Sequence, residues 1–190
     1  MIFNDLQNLP NSIGKLKKVR ELNLYGLKIT KLPNSIGNMT GLLFLNLSTI
    51  PIEKLPALVE LGLIYCHKLD FDDVFAKITK IKTLKLLSLA ENKLQFLPAS
   101  INNLKELTNL DLSYNQLLLN PNIGNLRNLK TLNLEGNRLS TLLEEISNLT
   151  KLETLNLTNN LFTSIPTSLF PFLEKLDYGH SAEIRKLIKK

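Results

Sequence analysis

The string LTNLDLSYNQL, from Leu107 to Leu117, recurs along the 190-residue chain with its leucines and asparagine in fixed places. Its sisters are VRELNLYGLKI from Val19, LLFLNLSTIPI from Leu42, LVELGLIYCHKL from Leu58, LKLLSLAENKL from Leu84, LKTLNLEGNRL from Leu129 and LETLNLTNNLF from Leu152. Self-similarity at a period of roughly 20–30 residues signals a solenoid, in which each unit buries its apolar face only against its neighbours.

The residues of one unit show how such a stack forms. In an LxLxL segment successive side chains alternate between faces, so Leu110 and Leu112 point one way and Asn109, Asp111 and Ser113 the other. One short strand per unit then stacks into a parallel sheet. The asparagine that follows, at Asn92, Asn115, Asn137 and Asn160, is placed to hydrogen-bond the backbone of its turn and so form a ladder. Between strands, tails such as KLPNSIGNMTGL from Lys31, FLPASINNLKEL from Phe96 and LNPNIGNLRNL from Leu119 return the chain along the outer face. Extended segments and single helical turns are expected there.

The pattern LxxLxLxxNxL with LPxxIxxLxxL tails resembles the leucine-rich repeat family over essentially the whole chain, and most of all its intracellular or bacterial subclass. The plant extracellular subclass carries a GxIP segment in the tail, which is absent here. What the resemblance implies is an α/β solenoid, a curved horseshoe with a parallel sheet on the concave face and extended or short helical segments on the convex face. It also implies a non-enzymatic scaffold that binds protein or peptide, without naming the partner. The expected division is a single domain over 1–190, with a partial first repeat at 1–18, seven repeats at 19–172, and a last strand with a capping helix at 173–190.

Unit spacing is informative where it fails. The steps from Leu84 to Leu107, Leu129 and Leu152 are 23, 22 and 23 residues, whereas Leu42 to Leu58 is 16 and Leu58 to Leu84 is 26. The short unit, ending at Ala57, has lost part of its tail. The long one has Cys66 in place of asparagine and resembles the cysteine-containing class of repeat, whose outer segment is a helix. Asp70 or Asp72 is placed to cap that helix, with Asp73 near its N-terminus and Val74, Phe75, Ile78 and Ile81 on the inward stripe.

Chemistry is sparse. Cys66-His67 has the form of a thiolate beside a base, but a buried small side chain at the ladder position accounts for it better. Helix capping likewise explains Asp70, Asp72 and Asp73, since the glycine and terminal glutamate of a calcium loop are missing. With two histidines, one cysteine and no G-x-S-x-G or G-x-x-x-x-G-K-[ST], no nucleophile, zinc or phosphate arrangement assembles. The chain is therefore read as neither an enzyme nor a holder of a cofactor or metal. The sequons at Asn38, Asn46, Asn148 and Asn156 follow from the repeat composition.

The net charge of +6, with clusters at Lys15, Lys17, Lys18 and Arg20 and at Arg185, Lys186, Lys189 and Lys190, raises nucleic acid as a partner. These cations fall in tails and at the C-terminal end, with no aromatic-basic interleaving along a groove, so a solvated outer surface is the better reading. No run is long enough to cross a membrane. SAEIRKLIKK reads as a short amphipathic helix folding Ile184, Leu187 and Ile188 over the last strand around Leu176 and Tyr178. The single cysteine and the lack of cysteine-rich caps favour a reducing compartment, the cytoplasm, or a bacterial origin. Asn4, Leu6 and Leu9-Pro10 align with later repeat positions, so the expectation is a piece of a longer protein, the alternative being an atypical first repeat. MIFNDLQNLP lacks the pattern of a signal peptide, which is weak evidence about compartment in a chain read as a piece.

Function is expected on the concave sheet, whose outward positions have no core duty. Apolar side chains gather there in the early units, at Leu43, Phe44, Val59, Ile64, Tyr65 and Leu86 with Tyr25 beside them, while later units are rich in Asn, Thr and Ser. An exposed apolar patch with a polar rim marks a contact site. The reading is a protein-interaction module binding a protein or peptide at this patch. The alternative is the recognition arm of a larger enzyme or signalling protein, such as a GTPase, ubiquitin ligase or nucleotide-binding receptor, with its catalytic domain elsewhere.

Overall fold

Seven three-residue strands form one parallel sheet in strict sequence order: β1 (Glu21–Asn23), β2 (Phe44–Asn46), β3 (Glu60–Gly62), β4 (Leu86–Ser88), β5 (Asn109–Asp111), β6 (Thr131–Asn133) and β7 (Thr154–Asn156). The computed structural model describes residues 6–24, 27, 29, 32–46, 58–66, 69–118, 121–177 and 182–188. The short unit's tail up to Ala57 lies outside them, as do Tyr25, Ile50, His67 and Tyr178. The register repeats without a slip. Leu22, Leu45, Leu61, Leu87, Leu110, Leu132 and Leu155 stand in line across the sheet. Those from Leu45 onward are buried on the inner side of the sheet, and Leu22, at the edge, packs partly buried against the same core.

The tails show why their apolar residues recur every third position. In LPxxI the proline is extended and its carbonyl accepts the isoleucine N–H three residues on, as at Ile13, Ile36 and Ile101. The next apolar residue then donates to that isoleucine, and the next to it in turn, through Ile101, Leu104 and Leu107. Three residues per turn is the 3₁₀ period, so IxxLxxL puts all three side chains on one line facing the core. Ile101, Leu104 and Leu107 are buried, as are Ile123, Leu126 and Leu129, and Ile146, Leu149 and Leu152. Adjacent tails approach closely where glycine permits it: a Cβ on Gly124 would stand 2.3 Å from the Glu145 carbonyl oxygen.

The long unit departs from this as its sequence predicts. Its outer segment is an α-helix, α1 (Phe71–Ile78), and of the two candidates Asp70 is the cap, accepting from the Asp72 and Asp73 N–H groups. Val74, Phe75, Ile78 and Ile81 are all buried. At the C-terminal end, α2 (Phe170–Leu173) and a single parallel bridge between Thr154 and Asp177 follow the last strand. There α3 (Ala182–Ile188) buries Ile184 fully, with Leu187 and Ile188 packed partly buried against the core.

Behind β4 to β7 the asparagines form the expected ladder. Asn115 donates to the carbonyls of Leu89, Leu112 and Ser113 and accepts from the N–H groups of Asn92 and Leu94, tying one turn to the previous unit. Asn137 and Asn160 repeat the arrangement one and two units later. At the head of the ladder Asn92 accepts from the Cys66 N–H, so the unit lacking an asparagine is held by its neighbour's. Each buried backbone group left unpaired costs roughly 1–3 kcal/mol. Asn115→Ala is accordingly expected to lower unfolding free energy by about 3–5 kcal/mol in urea, and Asn160→Ala, which is only half-buried, by less. Equal and small effects would contradict the ladder's role.

Candidate functional site

The side of the sheet turned away from the core carries the first and third residues of each strand. Across it runs a groove of about 370 Å³, lined by Phe44, Ile64 and Leu86 together with Asn46, Glu60, Ser88, Asn109, Asp111, Thr131 and Asn133. Strand alternation places these side chains there, and the face is concave at this point. Phe44, Glu60, Leu86 and Asn109 stand on successive strands in register, so Glu60 has an apolar neighbour on each side at about the 4.8 Å strand spacing.

Of the residues singled out from sequence, Phe44, Ile64 and Leu86 come together in this groove. Leu43 and Val59, one position earlier, open instead onto the sheet's flank. Leu43 lies with Lys17, Lys18 and Arg20, and also beside Phe44 and Glu60 at the N-terminal edge, while Val59 lies with Lys82, Lys85 and Lys105. Tyr65 is 52% exposed and stands in the turn after β3, outside the groove lining. Its φ of 59° belongs to a column of left-handed turn residues, with Glu91, Tyr114, Gly136 and Asn159 at the same place in later units. Gly136 and Asn159 are residue types that accept this conformation, so the column was legible in the sequence.

Sequence reasoning missed the third strand residue. Asp111, Asn133 and Asn156 each accept the N–H two residues on, from Ser113, Glu135 and Thr158, at 3.0–3.1 Å. These bonds form a second, shorter ladder on the groove side, and the recurring LNL and LDL triplets are its signal. Beyond the groove, Glu135 is held by the Tyr114 hydroxyl at 2.6 Å and by the side-chain amides of Asn156 and Asn159 at 3.1 Å. The hydrogen bond to Glu135, more than burial or charge, pushes the Tyr114 phenol up.

Among the described residues no three His, Cys, Asp or Glu side chains converge on a point. No helix among them is long and apolar enough to cross a membrane. Cys66 is buried, and its Sγ lies 3.4 Å from the Ile64 carbonyl oxygen.

Residues 106–126, 128–149 and 151–176 match the Leucine Rich Repeat family. The chain is a leucine-rich repeat solenoid. It is similar to a leucine-rich repeat protein of Leptospira interrogans, with 30% identity and a TM-score of 0.70 over 93% of this chain and 53% of that one. An internalin of Listeria monocytogenes shares the fold at 23% identity, TM-score 0.66, over 93% and 57% of the two chains. A plant peptide hormone receptor in complex with RGF2 matches at 29% identity, TM-score 0.61, over 92% of this chain and 34% of that one. The solenoid thus spans about half the length of the first two structures. No curated protein sequence matches it.

In this leucine-rich repeat solenoid the cysteine is a packing residue, because burial pushes its thiol from 9.0 up to about 12. The folded thiol thus keeps its proton where the unfolded one loses it. This contribution to stability is complete below pH 9 and is lost as pH rises toward 12. Denaturant titrations at about pH 8 and about pH 10.5 are expected to show a smaller alkaline loss in Cys66→Ala than in the parent. Rapid alkylation of the native thiol by iodoacetamide at about pH 8 would contradict this assignment.

Proposed function

We propose that this chain is a non-enzymatic recognition module that binds a protein or peptide on the concave face of its sheet, at the groove of Phe44, Ile64 and Leu86. The observation that carries the reading is an apolar groove whose side chains have no core duty, set in a face that is otherwise polar. Apolar surface held open to water on a rigid sheet gains most by being covered, and aromatic anchors supply much of an interface's energy. Tyr65 rises beside the groove, and Leu43 and Val59 extend the apolar surface over the flank. Tyr25 is proposed as a further contact from its place in the repeat. The structural relatives fit a binding role, the plant receptor being one solved with RGF2 bound. A longer protein carrying this chain as its recognition arm would use the same groove.

Separable effects on binding and folding test the reading. With a partner captured by the intact chain, Phe44→Ala and Tyr65→Ala are each expected to weaken binding by about 2 kcal/mol, close to thirtyfold, with little change in melting temperature. Thr131→Ala and Thr154→Ala are expected to leave it unchanged. Leu45→Ala, a core residue with no exposed surface, is expected instead to cost about 2–5 kcal/mol of folding stability. Unfolding by the aromatic substitutions would return those residues to the core. Unaltered binding would move the site off this groove.

A further inference from the structure

We propose that the groove takes an arginine side chain from an extended partner segment, seated on the Glu60 carboxylate between Phe44 and Leu86; this rests on the binding role proposed above. The first and third residues of the seven strands include Glu21, Glu60 and Asp111 and not one lysine or arginine, in a chain with 23 basic residues against 17 acidic ones. The cations stand elsewhere. They cluster on the sheet's flank at Lys17, Lys18, Lys82, Lys85 and Lys105, and Arg20 stands at the N-terminal edge, where it shares a depression with Glu21, Phe44 and Glu60. Two ion pairs, Lys77 with Asp73 and Lys130 with Glu153, lie outside the groove.

Groove chemistry selects the occupant. Its lining offers acceptors and apolar surface: the carboxylates of Glu60 and Asp111, and the rings and branches of Phe44, Ile64 and Leu86. An anionic partner would meet two carboxylates, and a purely apolar one would bury Glu60 unpaired, at a cost of several kcal/mol in principle. A divalent cation would find one carboxylate flanked by hydrocarbon and too few further oxygen ligands. Arginine satisfies all three features at once. Its guanidinium pairs with a carboxylate through two parallel hydrogen bonds, its plane stacks on an aromatic face such as Phe44, and its methylene stem lies on aliphatic surface such as Leu86. Lysine fits less well because its ammonium is a point charge with a stronger hold on water.

The second carboxylate sets the spacing of the partner's sequence. Asp111 lies two strands and two residues from Glu60, a diagonal of about 12 Å from the strand spacing and rise, which an extended chain covers in three to four residues. A second basic residue three or four positions from the first would reach it. Glu135, fixed by Tyr114, Asn156 and Asn159, continues the line of negative charge.

The test pans a displayed library of random nonapeptides against the full chain, and in parallel against Glu60→Gln and Leu86→Asp, each first shown to melt like the parent. The intact chain is expected to enrich arginine about fivefold or more beside apolar residues, with a second Lys or Arg three or four positions away. On Glu60→Gln the arginine enrichment is expected to vanish while the apolar preference stays. For the best peptide, changing that arginine to citrulline is expected to weaken binding about tenfold to the parent and not at all to Glu60→Gln. Peptides that depend on Leu86 but carry no arginine preference would overturn the arginine seat and leave the groove standing as the binding site. Peptides indifferent to both substitutions, or no enriched peptide at all, would overturn both readings.

Discussion

A stack of short parallel strands must bury the backbone of every turn that follows a strand, and a chain cannot pair those groups within the turn itself. The asparagine side chain resolves this. Its amide donates to the carbonyls of its own turn and of the unit before, and its oxygen accepts N–H groups from that previous unit, as Asn115 does between Leu89, Leu112, Asn92 and Leu94. One buried side chain thereby fixes both the shape of a turn and its distance from the next. From β4 to β7 the unslipped sheet register keeps step with that spacing. At Cys66, one of the positions without the asparagine, the N–H still donates to Asn92 of the next unit, as Asn92 does to Asn115, and a capped helix replaces the 3₁₀ tail.

Holding the turns from behind leaves the other face of the sheet free. Leucines at the middle of each strand carry the stability, while the residues on either side of them can vary without touching the core. In this chain that freedom is used unevenly. The early strands present Phe44, Leu86 and, just beyond β3, Ile64, and the later ones present Asn, Thr and Asp. Charge is sorted as well, with carboxylates in the groove and lysines on its flank. The proposed interaction surface, with this layout, would discriminate by charge sign and by the presence of an apolar anchor, and would reject anionic partners that the net charge of +6 would otherwise attract.

Much of this was legible in the sequence because repetition averages out local ambiguity. A single LxLxL segment is a weak strand signal, but seven in the same phase, four of them with asparagine at a fixed offset, leave one architecture. The helical outer segment after Cys66 was legible for a different reason: Asp70 and the spacing of Val74, Phe75, Ile78 and Ile81 carry a cap and a 3.6-residue stripe. The site was read less completely. Treating all outward apolar residues as one patch joined Leu43 and Val59 to Phe44 and Leu86, and the structure sets the first two toward the flank, with Leu43 still beside Phe44 in a depression at the N-terminal edge. Tyr65 was placed on the strand face, whereas the residue before each ladder position turns left-handed and leaves the strand. The groove-side ladder of Asp111, Asn133 and Asn156 went unread because residues that look like solvated surface were not asked what backbone they could satisfy.

The account stands on the ladder, and amide hydrogen exchange resolves it unit by unit. The N–H groups of Leu94, Leu117 and Leu139 are held by the side-chain oxygens of Asn115, Asn137 and Asn160, whereas Leu27 occupies a ladder position that has no asparagine, and its N–H donates to the Leu24 carbonyl at 3.3 Å. The expected result is that the three held amides exchange in the slowest class, at the free energy of global unfolding, while Leu27 and its unit open first. Equal protection in the two halves, or faster exchange at Leu94, Leu117 and Leu139 than at Leu27, would contradict the claim that the asparagines set the stability of the stack.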